Sequence, residues 1–94
     1  MIEFAPEAVA DLARVRDFLD AENPEAAKRA IGTIFAAVDR IEQFPALGRP
    51  TEDADIRQIV IPFASACYVL RYTVMTPRSD VLVLRVWHGR EARD

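Results

Sequence analysis

An α+β fold follows from three observations on this 94-residue chain. Two helical patterns, each opened by a proline, follow one another with almost no connection between them. A short apolar-polar-apolar run precedes them, and the last third, Ile56 to Arg90, holds three apolar runs of strand character. The predicted architecture is a short N-terminal strand, then an antiparallel two-helix hairpin packed on a mainly antiparallel sheet, with a three-strand meander at the C-terminal end. The length leaves room for one domain over residues 1–94 and one core.

Ile2-Glu3-Phe4 suits a brief first strand that ends just before Pro6. Pro6 fits the first helical position, where its missing N–H costs nothing, and Glu7 faces the positive end of the helix dipole. Ala8, Leu12, Val15 and Leu19 recur at spacings of four, three and four, one stripe of a helix running to about Ala21. Phe18 lies nearly opposite the centre of that stripe, with Glu7, Asp11 and Arg14, on the expected outer side. Asn23-Pro24-Glu25 is a stronger start signal, with Asn23 as N-cap. Ala27, Ile31, Ile34, Val38 and Ile41 then mark a second stripe on a helix from Pro24 to about Gln43. Phe44-Pro45-Ala46-Leu47-Gly48-Arg49-Pro50 ends it in a compact turn, because Pro45 cannot continue a helix and biases Phe44 away from helical angles. Thr51 to Asp55 reads as a solvated acidic loop.

Ile56-Arg57-Gln58-Ile59-Val60-Ile61 reads as a strand stopped by Pro62, with Phe63 to Ala66 as the connection. Tyr68 to Val74 and Val81 to Trp87 are rich in β-branched and aromatic residues, and the Met75 to Asp80 segment between them contains turn-forming Pro77, Ser79 and Asp80. If Ile61 pairs with Cys67 and Met75 with Val81, Arg57, Arg71 and Arg85 form a row across three strands. Such a row calls for an anion or carboxylate between its members, and a slip of one residue breaks it. In that parity Tyr68, Leu70, Tyr72 and Val74 face the helices with Leu82, Leu84 and Val86, while Val69, Val83 and Trp87 share the open face with the arginines.

Composition narrows the function classes. The net charge is -3, which weighs against a domain that holds nucleic acid mainly through phosphates. Cys67 is the single cysteine, so no internal disulfide and no paired-thiol metal site can form, and Cys67 reads as a small buried apolar residue. No cofactor and no metal is expected: His88 is the one histidine, and a lone histidine at a strand end is more often a structural hydrogen-bonder. The N-terminus has no signal-peptide pattern and no run reaches membrane-span length, so a cytoplasmic protein is expected.

The order of elements, the Phe44-Pro45-Ala46-Leu47-Gly48-Arg49-Pro50 turn and the closing Leu84-Arg85-Val86-Trp87-His88-Gly89-Arg90 together resemble the ParE branch of the RelE/ParE toxin superfamily. Pro6-Glu7-Ala8 and Asn23-Pro24-Glu25-Ala26-Ala27 extend the likeness over nearly the whole chain. The resemblance implies a RelE/ParE-like fold and a toxin of a type II toxin-antitoxin pair, whose ParD-like antitoxin wraps it with an extended tail. ParE-like members are associated with poisoning of DNA gyrase, whereas RelE-like members cut messenger RNA on the ribosome.

Cleavage of RNA needs a proton acceptor, cations for the phosphorane and an acid for the leaving oxygen. The middle-strand position where RelE-like nucleases carry an arginine is matched here by Val69, and their terminal tyrosine has no counterpart before Asp94. The expected function is therefore a toxin that binds gyrase without chemistry of its own, with no catalytic residue and no direct nucleic-acid specificity. The alternative is a RelE-like ribosome-dependent endoribonuclease using Arg57, Arg85, His88 and Arg90. Expected target-binding residues are Arg57, Arg85, Trp87, His88 and Arg90, cations and an aromatic of the types that carry interface energy. Arg85 and Arg90 also fit a solvated strand end, and Trp87 fits edge packing. Phe18 and Phe63 are the expected antitoxin contacts.

Overall fold

Both helices appear where apolar spacing puts them, and they cover one face of a five-stranded sheet. The computed structural model describes residues 1–75, 78 and 80–89. Its elements are β1 (Ile2–Phe4), α1 (Pro6–Asp20), α2 (Pro24–Gln43), β2 (Arg49–Pro50), β3 (Ile56–Phe63), β4 (Ala66–Met75) and β5 (Asp80–His88). The sheet order is β1-β5-β4-β3-β2, with β1 parallel to β5 and the other neighbours antiparallel. Parts of the expected turn before β5, namely Thr76, Pro77 and Ser79, lie outside the described residues.

Local chemistry explains the helix boundaries. The Asn23 side-chain oxygen accepts from the Glu25 and Ala26 amides at 3.0 and 3.3 Å, satisfying two of the donors a helix start leaves open. The start of α1 has no side-chain cap and rests on Pro6 and Glu7. From α2, Ala30, Ile34, Ala37, Val38 and Ile41 meet Ile61, Leu70, Tyr72, Val83 and Val86 in the core. Ile34 and Ile41 are fully buried, each stabilising the fold by roughly 1.5–3 kcal/mol relative to an exposed side chain.

Several expectations are corrected. Ile61 pairs with Tyr68, so Arg57 lies opposite Tyr72 and Gln58 opposite Arg71. The one-residue slip buries Ile61 in the core, packs the partly buried Ile59 against it and moves Arg57 out of the expected row. Between β4 and β5, Met75 pairs with Asp80 and Tyr72 with Val83, yet Arg71 still meets Arg85 because a bulge leaves Leu84 as an extra residue. The bulge reverses the parity of β5, so Val81 and Val83 take the core positions expected of Leu82 and Leu84, and Val86 keeps its own.

Pro62 does not stop β3, which continues to Phe63. Its missing donor is tolerated because β2 pairs only with Arg57 and Gln58, leaving the outer edge of β3 open at Pro62. The hairpin to β4 is then only Ala64 and Ser65, with Ala64 in the left-handed region at φ 53°. The turn after α2 contains an unforeseen strand, β2. Asp11, expected on the outer side of α1, is 2% exposed.

Candidate functional site

On the sheet face away from the helices, two rows run across β3, β4 and β5. Register places Gln58, Arg71 and Arg85 in one, and Val60, Val69 and Trp87 in the other. Gln58 accepts a 2.9 Å hydrogen bond from Arg71 Nε, so a neutral acceptor stands where the expected register would have put a third cation. The Arg71 and Arg85 guanidinium groups lie 5.2 and 5.9 Å from the centroid of the Trp87 ring, close enough for cation–π attraction. Two arginines thus share one indole, and Trp87 is 6% exposed beneath them.

A carboxylate does sit against the arginine pair, and it comes from α1. β1 runs beside β5 only as far as Val83, whose carbonyl accepts from the Ala5 amide. Beyond that point Asp11 takes the place of a neighbouring strand. Its Oδ2 accepts from the Val86 amide at 2.9 Å and from Arg85 Nε at 2.8 Å, and its Oδ1 accepts from Arg85 Nη2 at 3.1 Å and Arg14 Nη1 at 2.8 Å. The bidentate Arg85 contact fixes the guanidinium plane as well as its charge. Burial alone would push the Asp11 carboxyl up, but the hydrogen bonds from Arg85, Arg14 and the Val86 amide outweigh it and hold the group below the ordinary carboxylate value.

Arg57 belongs to a different structure. Its Nη1 donates to the Gly48 carbonyl at 2.6 Å and to the Ala46 carbonyl at 3.4 Å. Tyr72, fully buried, donates its hydroxyl to the Pro45 carbonyl at 2.7 Å and accepts from the Gly48 amide at 2.8 Å. Together they clamp the proline-glycine turn to the sheet. Gly48 has no room for a side chain, since a Cβ there would stand 2.9 Å from the tyrosine hydroxyl and 3.0 Å from the Gln58 carbonyl oxygen.

The expected target-binding residues are therefore not gathered. Arg85 and Trp87 share the open face, whereas Arg57 is committed to the turn and His88, on the opposite parity of β5, packs edge-on against Tyr68 at 5.5 Å. Arg90 lies outside the described residues. Of the expected antitoxin contacts, Phe18 is 66% exposed on α1, while Phe63 is half-buried and packs against Tyr68. Sequence reading missed Asp11, Gln58 and Tyr72 as organisers of these surfaces, whereas the expected pairing of Arg71 with Arg85 is present. An aspartate three residues before Arg14, within pairing distance on one helix, was the available signal for Asp11.

No group of three or more His, Cys, Asp or Glu side chains among the described residues could hold a metal ion. No helix among them is long and apolar enough to cross a membrane.

Residues 2–93 match the family model described as the ParE toxin of the type II toxin-antitoxin system parDE. Toxin RelE1 of Caulobacter vibrioides is 37% identical over 83 residues, 88% of this chain and 86% of the relative. Toxin RelE3 of the same organism is 33% identical over 92 residues, 98% and 97% of the two chains. In fold, the chain is similar to a solved structure of the chromosomal ParDE TA system from P. aeruginosa, with a TM-score of 0.77 at 22% identity over 93% of this chain and 92% of the other. With the two-helix hairpin on a mixed five-stranded sheet and a family match over nearly its whole length, the chain belongs to the ParE toxins of type II toxin-antitoxin systems, within the RelE/ParE superfamily.

Proposed function

We propose that this toxin acts by gripping a type II topoisomerase, DNA gyrase, through its open sheet face, and that a ParD-like antitoxin neutralises it. The observation that carries this reading is that, among the described residues, no unengaged acid or base faces the cations: Asp11, the carboxylate against Arg85, is buried and already accepts from Arg85, Arg14 and the Val86 amide. Arg71 and Arg85 stack on Trp87 on the open face, while His88, the one histidine, packs on the other side of the sheet against Tyr68. Phosphodiester cleavage needs a proton acceptor and a proton donor within hydrogen-bond reach of the reacting oxygens. A binding surface needs neither. Two arginines on an indole, with Val60 exposed beside them, supply the residue types that dominate interface energies. The antitoxin occupies the other side, along the helical hairpin, where Phe18 offers an unburied ring.

Induction of the toxin in cells carrying a reporter plasmid tests the proposal. Loss of negative supercoiling with intact translated messages is the expected result, and Arg71→Ala should weaken it. Cleaved messages with normally supercoiled plasmid would replace the gyrase reading by ribosome-dependent RNA cleavage. Co-expression of the antitoxin should restore growth.

A further inference from the structure

The Asp11 carboxylate does more than a tie between helix and sheet requires. The Val86 amide, left open where β1 ends, needs one acceptor, and a neutral side chain would supply it. A buried carboxylate carries a desolvation cost that only well-placed cations offset. Arg14, one turn along α1, is one such cation. The other is Arg85, a half-exposed side chain of the open face, gripped through two of its nitrogens. An arginine at the solvent surface needs no carboxylate for its own solvation, so what the two-pronged contact adds is a fixed position for the guanidinium.

The effect of that position is visible at Trp87. Arg71 and Arg85 stand directly opposite on neighbouring strands, an arrangement that like charges oppose. Left to repulsion and solvent, two long side chains would part. Each is instead held through Nε, Arg71 by Gln58 from β3 at 2.9 Å and Arg85 by Asp11 from α1 at 2.8 Å. With both held, the guanidinium groups lie 5.2 and 5.9 Å from one indole centroid, and the ring beneath them is buried. The bulge at Leu84 makes this possible, because it sets Arg85 opposite Arg71 while the Val86 amide meets Asp11. Asp11 is thereby anchored to the backbone one residue from the arginine it orients.

We propose that Asp11 is a positioning residue for the open face: it holds Arg85 over Trp87 in the orientation the target meets, so that binding does not have to order that side chain. The proposal rests on the assignment of the open face to the target made above, and deepens it by naming a buried residue of α1 that acts through Arg85. A side chain ordered in advance spares association the entropy of fixing it, about two- to tenfold in affinity for one arginine.

A double-mutant cycle in the purified toxin tests this, with every variant assayed below its melting transition. Asp11→Asn keeps the shape and an acceptor for the Val86 amide but removes the charge that holds Arg85. It should weaken inhibition of gyrase supercoiling by about two- to tenfold, and have almost no effect in an Arg85→Ala background. Arg85→Lys keeps the charge and the bond from Val86 to Asp11 but loses the two-pronged grip. It should weaken inhibition by a similar factor, and it remains readable if Asp11→Asn does not fold. Trp87 is the single tryptophan, so acrylamide quenching of its fluorescence reads the arginine cover with no target present. Asp11→Asn should raise the quenching constant toward that of Arg85→Ala. The same loss with and without Arg85, wild-type quenching in folded Asp11→Asn, or full activity of Arg85→Lys would each overturn the proposal. The cycle is repeated with translating ribosomes. A wild type that cuts messages and spares gyrase removes the gyrase reading, while non-additive losses in the cutting rate retain Asp11. Additive losses in whichever assay the wild type scores remove Asp11 alone, and a wild type inactive in both removes the two together.

Discussion

Replacing Asp11 by alanine removes the one carboxylate that joins α1 to the outer edge of β5. The structure sets the size of the effect. Four donors converge on Asp11, three of them guanidinium N–H groups and one the buried Val86 amide. Breaking a buried ion pair costs about 3–5 kcal/mol when the remaining charge stays buried. Here the orphaned side chains, Arg14 and Arg85, are about half exposed and can be rehydrated, so the cost falls to roughly 2–4 kcal/mol, most of it from the Val86 amide and the lost charged hydrogen bonds. For a domain of this size each kcal/mol lowers the melting temperature by about 4–8 °C. Urea denaturation of wild type and Asp11→Ala should show a lower midpoint at an unchanged slope. Because the folded carboxyl titrates below the unfolded value of about 3.9, its contribution is complete above that pH and lost as pH falls through the lowered folded value. Asp11→Asn should lose this part of the acid dependence. A midpoint change worth less than about 1 kcal/mol in Asp11→Ala would refute the assignment of Asp11 as the tie between helix and sheet.

Other perturbations address separate parts of the molecule. Tyr72→Phe leaves the buried Gly48 amide without its acceptor and should cost about 1–3 kcal/mol in chemical denaturation. Gly48→Ala, which drives a methyl group against Tyr72 and the Gln58 carbonyl, should destabilise by a similar amount, about 1–3 kcal/mol. Ala64→Gly relieves a left-handed backbone angle in the two-residue β3–β4 turn, and a gain of about 1 kcal/mol should appear as a higher melting temperature. Arg71→Ala removes one of the two cations from Trp87 and should weaken topoisomerase inhibition about tenfold or more while leaving secondary structure unchanged by circular dichroism.

The helices and the existence of the sheet are legible in the sequence because their signals are local. Asn23-Pro24 sets a helix start through a side chain two and three residues away from its partners, and the spacing of Ala27, Ile31, Ile34, Val38 and Ile41 needs no knowledge of what lies opposite. The face of each strand is less legible, because parity depends on registers fixed by long-range packing. One slip moved Arg57 from the open face to the turn after α2, and one bulge at Leu84 exchanged Leu82 and Leu84 for Val81 and Val83. The need for a carboxylate beside the cations was readable from like-charge repulsion alone. Its source was not, since Asp11 is 74 residues from Arg85 in sequence and reaches it only because β1 stops at Phe4. The proline-glycine turn pointed to the family, and the structure gives a physical reason for Gly48 in it: Tyr72 occupies the space a side chain would need.

The most direct measurement places purified toxin with purified gyrase, relaxed plasmid and ATP, and in parallel with translating ribosomes and a defined message. A toxin that works by holding its target halts supercoiling at near-equimolar concentration and leaves the message whole. Unimpeded supercoiling together with a cut message would mean that the open sheet face, or residues beside it, performs the chemistry this account assigns to no part of the chain.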